Sequence, residues 1–178
     1  MKTDIIRIDN QGNGFSEALE ETSKAAAYAE LPAKDDTKLR VLTHEMLCLA
    51  RSITGEMKAE FWIEGEGRRF DLHMTTETAM DAEKRSQLIQ SSTSRKNEAA
   101  KGFLGRLRDS VEQALAAPVD HSGNELPYDV LTDIPSNPVG DPDWDGYERS
   151  VLRKLADDVK VGIRGGKVEI IVSKDFGA

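Results

Sequence analysis

The sequence predicts an α+β fold: a two-layer α/β sandwich in which a mixed, mostly antiparallel sheet carries its helices on one face. Strand-like segments come in pairs separated by turn residues, whereas single strands alternating with helices would indicate a parallel sheet. Within the pairs, apolar and polar residues alternate, which indicates a sheet with one face on a core and the other face partly wet. No internal repeat accompanies these segments.

The first strand and helix are predicted from the N-terminal part of the chain. Residues 3–8 alternate weakly and are apolar enough for a short strand, which Gly12-Asn13-Gly14 ends. Residues 15–29 then place apolar side chains at helical spacing along one stripe. Pro32 is expected to end this helix, because proline lacks the backbone N–H that a helix interior requires.

A second helix and a hairpin are expected next. Asp35-Asp36-Thr37 can cap the helix with acidic residues at its positive end, and apolar residues follow at helical spacing. Residues 57–74 alternate on both sides of the turn-forming segment Glu64–Gly67, which predicts a hairpin. Trp62 and His73 are expected on the face of this hairpin that points away from the core.

The second half combines helix, loop and a closing hairpin. Residues 81–117 predict one long helix or two shorter ones, with an interruption at Ser91–Ser94 because such side chains compete for backbone hydrogen bonds. A Pro/Asp-rich loop is predicted at 118–145, and Asp145 and Glu148 have the spacing of a capping box for the last helix. The closing strands and their turn are expected at 159–163, 167–173 and 164–166.

Composition places the chain among cytoplasmic, single-domain proteins. Its 178 residues suit one domain, residues 1–178, and 38% hydrophobic with 31% charged residues is typical of a globular protein. The first residues lack a signal-peptide core, and no apolar run is long enough to cross a bilayer. The single cysteine fits a reducing compartment. A net charge of -8 argues against general nucleic-acid binding.

Charge is distributed unevenly along the chain. Residues 84–108 contain seven Lys or Arg and one acidic residue, whereas residues 118–145 contain seven Asp or Glu and no Lys or Arg. Two solvated surfaces account for this pattern most simply. The alternative is a basic helix that receives an acidic partner or phosphates.

Two stretches of the chain resemble a known family. Residues 151–174, above all 155–161 and 165–172, resemble the ending of the histidine-kinase-type (GHKL) ATPases, and residues 39–74 show a weaker similarity. The chain is most similar to the small bacterial anti-sigma factor serine kinases. In those proteins a helix with a Glu and, four residues later, an Asn precedes a hairpin that ends in Asp-x-Gly. The resemblance implies the histidine-kinase-like ATPase fold for most of the chain.

The resemblance carries the family's nucleotide contacts onto four positions. The family's Glu falls on Glu45, which would be a base or water-orienting group in an active enzyme. Its Asn, which would help to hold Mg²⁺, falls on Leu49, and leucine has no oxygen for a hard cation. Its adenine-binding Asp falls on Thr76 and the following Gly on Thr78. The Gly-rich lid that would wrap the phosphates is replaced by the Pro/Asp-rich loop.

These departures lead to two expectations. The first is a regulatory protein-interaction domain of a bacterial cytoplasm, with impaired or lost ATP binding and no cofactor. Its partner would be a sigma factor, an antagonist, a kinase or a second copy, and neither nucleic acid nor a membrane. The alternative is an active anti-sigma-type serine/threonine kinase that binds ATP and Mg²⁺ at a divergent site, using Glu45 and the basic residues 84–108.

Three further candidates are expected to be structural. Residues 141–146 match the first half of a calcium loop, but its twelfth position is Leu152 rather than Glu. His44 is expected to be a surface or structural histidine, and the three histidines show no metal-ligand spacing. Cys48 is expected near the buried side of its helix as a small hydrophobe, with no Cys–His pairing readable from the sequence.

Overall fold

The computed structural model describes residues 1–9, 11–54, 58–100 and 151–177. The described elements are, in order, β1 Ile6–Asp9, α1 Phe15–Tyr28, α2 Ala33–Thr54, β2 Lys58–Glu66, β3 Arg69–Glu77, α3 Ala82–Ser91, a 3-10 turn at Glu98–Ala100, β4 Asp158–Arg164 and β5 Lys167–Asp175. Residues 151–155 are also helical. The predicted helix after residue 100, the Pro/Asp-rich loop, the capping box and the calcium-like segment lie outside the described residues.

The five described strands form one sheet in the order β1-β2-β3-β5-β4, and every neighbouring pair is antiparallel. The two hairpins, β2–β3 and β4–β5, are joined side by side through β3 and β5. That central pairing runs from Arg69 opposite Asp175 to Glu77 opposite Lys167. The α+β, two-layer architecture predicted from the paired strands is therefore confirmed.

The core lies between the apolar face of the sheet and the helices. Alternate residues of each strand are buried, and Phe61 and Phe70 are the largest side chains that are fully buried among the described residues. Helix α1 is narrow on its buried face, since its buried residues are three alanines and Thr22. The hydroxyl of Thr22 donates to the Ala18 carbonyl and lies 3.0 Å from the Thr43 hydroxyl of α2. This contact satisfies both buried hydroxyl groups at the helix–helix interface.

Helix α2 begins earlier than its sequence predicts. It starts at Ala33, and the backbone N–H groups of Asp35 and Asp36 donate to the carbonyl of Pro32 at 2.8 and 3.0 Å. The two aspartates are therefore in the first turn rather than in the cap. Pro32 precedes α2, where a proline costs no helix hydrogen bond, and α1 has already ended at Tyr28.

The β2–β3 turn is tighter than predicted. Strand β2 continues through Gly65 and Glu66, which pair with Phe70 and Arg69, so the turn consists of Gly67 and Arg68 alone. Gly67 has a φ of 59°, which glycine adopts at little cost. The expected turn at Glu64–Gly67 was thus placed too early. The first strand is also shifted, to Ile6–Asp9, with Thr3 N donating to the Ile63 carbonyl at 3.0 Å.

The second face of the sheet and the helix interruption agree with their predictions. The rings of Trp62 and His73 are stacked on the face opposite the core, with centroids 4.9 Å apart and planes 6° from parallel. Helix α3 ends at Ser91, where the interruption was expected. The side-chain hydroxyls of Ser91 and Ser92 donate to the carbonyls three residues earlier. These bonds compete with the backbone N–H groups that would otherwise continue the helix.

Residues 93–97 cover the outer edge of β4. The Thr93 N–H donates to the Val159 carbonyl and the Thr93 hydroxyl accepts from the Val159 N–H, both at 2.8 Å. The Asn97 side chain accepts from the Ile163 N–H at 2.8 Å and donates to the Ile163 carbonyl at 2.9 Å. These bonds pair backbone groups that an open sheet edge would leave exposed. In the same described part of the chain, no helix has the length and apolar character to span a bilayer.

Candidate functional site

A cavity of about 1050 Å³ opens at one end of the sheet, where β1 and β3 finish and β2 begins. Its lining includes Thr76 and Thr78, two of the positions to which the sequence resemblance assigns nucleotide contacts. The topology explains this placement: antiparallel β3 leaves the sheet at the end where β2 enters it, and α3 starts a few residues later. The cavity is therefore the first place to look for a ligand.

Thr76 has little hydrogen-bonding capacity left for a ligand in this cavity. Its residue is 3% exposed, and its hydroxyl donates to the Lys58 carbonyl at 3.1 Å across the β2–β3 ladder. Only the oxygen's remaining acceptor capacity is left, and a hydroxyl bears no charge. The side chain therefore serves the start of the hairpin rather than presenting a carboxylate-like acceptor.

Thr78 ties the exit of β3 to the closing turn. Its backbone N–H donates to the Gly166 carbonyl at 2.9 Å. The approach is so close that a Cβ on Gly166 would lie 2.7 Å from the Thr78 carbonyl oxygen, so only glycine fits there without a shift. The wall of the cavity is thus held by backbone contacts between two hairpins.

The cavity lining carries charges of both signs, with four basic and three acidic side chains. Each acidic residue stands opposite a basic one on the neighbouring strand. These cross-strand pairs are Arg7 with Glu60, Asp9 with Lys58, and Glu77 with Lys167. The fourth base, Lys84, lies in the first turn of α3 and its ammonium donates to the Ala79 carbonyl at 3.3 Å. The lining therefore carries a small positive excess.

Asp9 is the acidic residue of this lining that is most firmly held. Its carboxylate accepts from the backbone N–H groups of Gln11 and Asn13 and from the Asn13 side-chain amide, at 2.8 to 3.1 Å. The Asn13 side chain is the main cause that lowers the pKa of the Asp9 carboxyl below its usual range. The Asp9 carboxylate therefore stabilises the β1–α1 turn.

The other two family positions are not part of the cavity lining. Leu49 is 1% exposed and belongs to the core under α2. Glu45 has a side chain that is 16% exposed, and its Oε1 lies 3.1 Å from Nδ1 of His44. The structure thus brings Thr76 and Thr78 to one cavity and gives Glu45 and Leu49 different surroundings on α2.

Helix α2 also contains a contact that sequence reasoning missed. Cys48 is only partly buried, and its Sγ lies 3.8 Å from both ring nitrogens of His44. The structure therefore shows a Cys–His contact where no pairing was readable from the sequence. The signal was present in the spacing, because residues four apart on a helix are neighbours on its surface. His44 itself has a half-exposed side chain, as a surface histidine should.

No dedicated metal centre is found in the described ranges, since no three His, Cys, Asp or Glu side chains there are grouped to hold an ion. The basic stretch that the sequence suggested for phosphates is described only as far as residue 100, and Lys84 is its contribution to the cavity. No protein-family model matches this chain, and none of the curated proteins matches it significantly.

Proposed function

We propose that this chain is a regulatory protein-interaction domain that resembles an anti-sigma factor kinase and has lost effective ATP binding. The observation that carries the proposal is the burial of Leu49, which is 1% exposed where the resemblance requires an asparagine that helps to hold Mg²⁺. An apolar side chain enclosed in a core has neither the oxygen nor the access that a hard cation requires.

Thr76 adds a second, independent support. Recognition of an adenine amino group in the resembling kinases depends on an aspartate, a charged acceptor. The Thr76 hydroxyl is uncharged and donates its proton to the Lys58 carbonyl, and its residue is 3% exposed. A neutral acceptor forms weaker hydrogen bonds than a carboxylate, so this position contributes little to nucleotide affinity.

The proposed setting is a bacterial cytoplasm, and the proposed partner is a sigma factor, an antagonist, a kinase or a second copy of the chain. A scaffold without its nucleotide contacts can keep its binding surfaces, because fold and function are separable. Purified candidates from these classes should be tested by calorimetric titration. We expect one of them to bind, with the same affinity in the presence and in the absence of nucleotide.

A thermal-shift series tests the loss of nucleotide binding. Because a ligand that binds only the folded state stabilises it by about 2.7 kcal/mol at roughly 100 times its Kd, ATP bound with a Kd of about 10 μM would raise Tm clearly at millimolar concentration. We expect millimolar ATP with Mg²⁺, and ADP, to leave Tm unchanged relative to an equal concentration of sodium sulfate. A saturable rise with nucleotide but not with sulfate would contradict the proposal.

The second candidate function is a kinase with a divergent nucleotide site, and the cavity is where that site would lie. Its volume of about 1050 Å³ can hold a nucleotide, and Lys84 and Lys167 supply positive charge at its wall. If nucleotide does raise Tm, K84A and K167A should reduce the shift, whereas K34A on the exposed start of α2 should not. E45A should then also lose turnover, although Glu45 does not line the cavity, and retained turnover would exclude the base role that the resemblance assigns to it.

A further inference from the structure

Three chemically active side chains meet on the surface of α2. The carboxylate of Glu45 lies 3.1 Å from Nδ1 of His44, and the sulfur of Cys48 lies 3.8 Å from each ring nitrogen of the same histidine. The ring of Phe15 packs edge-on against His44, with centroids 5.7 Å apart. The histidine is therefore contacted on three sides, by an acceptor, by a thiol and by an aromatic ring.

The hydrogen-bonding capacity of these groups assigns their roles. A carboxylate can only accept, so the contact with Glu45 places the ring proton on Nδ1 of His44. The lone pair is then on Nε2, and the Cys48 sulfur lies beside the ring, 3.8 Å from both nitrogens, so a turn of the half-exposed imidazole brings the lone pair onto the thiol. A nucleophile next to a base that a third group orients is the arrangement that activates thiols in proteins. The His44 side chain is 50% exposed and Cys48 is partly exposed, so a small molecule can approach the thiol from this surface.

We propose that Cys48, His44 and Glu45 form a thiol-modification site at which a low-molecular-weight disulfide leaves a mixed disulfide on Cys48. The thiol proton of Cys48 passes to Nε2 of His44, and the thiolate attacks one sulfur of the small disulfide. A new S–S bond forms as the old one breaks, and the departing thiolate takes the proton from His44. Cys48 is oxidised, and one half of the reagent is reduced to a free thiol.

The composition of the chain restricts the product. Cys48 is the single cysteine of the sequence, so no second thiol of the same chain can resolve the mixed disulfide. The adduct therefore persists until an external thiol removes it, as a reversible modification requires. The proposal uses contacts on α2, with Phe15 of α1 beside them, and does not rest on the regulatory function proposed above.

The rate of reaction with the chromogenic disulfide DTNB tests this site. We expect the folded protein to react about tenfold or more faster than a free peptide of residues 46–51, which has the same thiol without the histidine and the carboxylate. H44Q should fall to the rate of the peptide, E45Q to an intermediate rate, and C48S should not react. K34A, at the far end of α2, is the control and should retain the wild-type rate.

Two results would overturn the proposal: a folded protein that reacts no faster than the peptide, or H44Q that reacts as fast as the wild type. Circular dichroism identifies any variant that has lost its fold, and E45Q then provides the second comparison. Incubation with cystine, followed by intact-mass measurement, should show one cysteine adduct that a reductant removes and that C48S lacks. Absence of this adduct from the wild type also contradicts the proposal.

Discussion

Among single residues, Gly14 fixes how β1 turns into α1. It is the residue before the helix, with a φ of 80°, and a Cβ there would overlap the carbonyl oxygen of Arg7. Gly12, two residues earlier, has a similar φ of 86° but open space around the position of a Cβ. The two glycines therefore share a backbone conformation and differ in what surrounds them.

This difference makes a matched pair of variants. Both G12A and G14A incur the cost of a left-handed backbone, about 1–2 kcal/mol, but only G14A must also move the Arg7 carbonyl. We expect G14A to lower the free energy of unfolding in urea by roughly 1–3 kcal/mol more than G12A. Equal losses in the two variants would show that the β1–α1 turn relaxes freely.

The sequence predicts such residues only in part. Gly12-Asn13-Gly14 reads as a strand break on composition, but the stronger requirement at Gly14 comes from Arg7, which folding brings to it. Similarly, Leu49 and Thr76 were identified by position, whereas the burial of Leu49 and the bond from Thr76 to Lys58 depend on tertiary packing. The sequence states the type of each residue directly, but the residues that it contacts are determined only by the folded chain.

Among the elements, the edge strand β4 depends on a single side chain for part of its pairing. Asn97 makes both a donor and an acceptor bond with the backbone of Ile163, at 2.9 and 2.8 Å. It thereby takes the place of a neighbouring strand at that point. Without it, both backbone groups of Ile163 would lose these partners.

Replacement of Asn97 tests this role. N97A should lower the free energy of unfolding by about 1–3 kcal/mol, the typical cost of leaving partly buried polar groups without a partner. The amide of Ile163 should also exchange its hydrogen faster in the variant. S94A, which removes only exposed contacts of the Ser94 hydroxyl, with the Glu98 carboxylate and the Lys96 backbone N–H, is the control and should change stability little. An unchanged exchange rate at Ile163 would contradict the proposed edge pairing.

The types of the described elements were predictable, and their ends were less so. Gly65 and Glu66 are turn-forming residues, yet both lie in β2 because Phe70 and Arg69 pair with them across the hairpin. Strand preference reflects cross-strand neighbours more than the residue itself, and those neighbours depend on the register. The position of Pro32 was also misjudged. A proline between two helices can follow the first or precede the second, and the sequence alone does not distinguish the two.

For the molecule as a whole, several carboxyl groups favour the folded state at neutral pH. Burial alone raises the pKa of the Asp157 carboxyl, but hydrogen bonds from Lys174 and from the Asp175 backbone N–H outweigh it and hold the pKa below its usual value. The pKa of Asp35 is lowered mainly by Lys38, and that of Glu64 mainly by Lys2. Each of these groups binds protons less readily in the folded chain than in the unfolded one.

Stability should therefore decrease at acid pH. A carboxyl with a depressed folded pKa contributes its full stabilisation above its unfolded pKa, about 4, and loses it as pH falls through the folded value. We expect the urea midpoint to be steady from pH 7 to 5 and to fall below about pH 4. D157N should be less stable than the wild type at pH 7, and the two should converge at the lowest pH. A constant difference between them across this range would contradict the role of the Asp157 charge.

The strand order was beyond the reach of the sequence. Each hairpin forms from neighbouring residues and was predicted, but the pairing of β3 with β5 joins Glu77 to Lys167 and Arg69 to Asp175. Local patterns specify a strand's buried face and not which distant strand lies beside it. The cavity beside Thr76 and Thr78 depends on this pairing, because Lys167 lines it and the Gly166 carbonyl accepts from the Thr78 N–H.

The late position of β5 in the chain has a consequence during synthesis. The ribosome completes β3 at Glu77, and its future neighbour begins ninety residues later, at Lys167. Throughout that interval the nascent hairpin presents an unpaired strand edge and an incompletely covered apolar face, the features that promote association between growing chains. A ribosome-bound chain halted before residue 167 should accordingly recruit chaperones, and the full-length chain should release them.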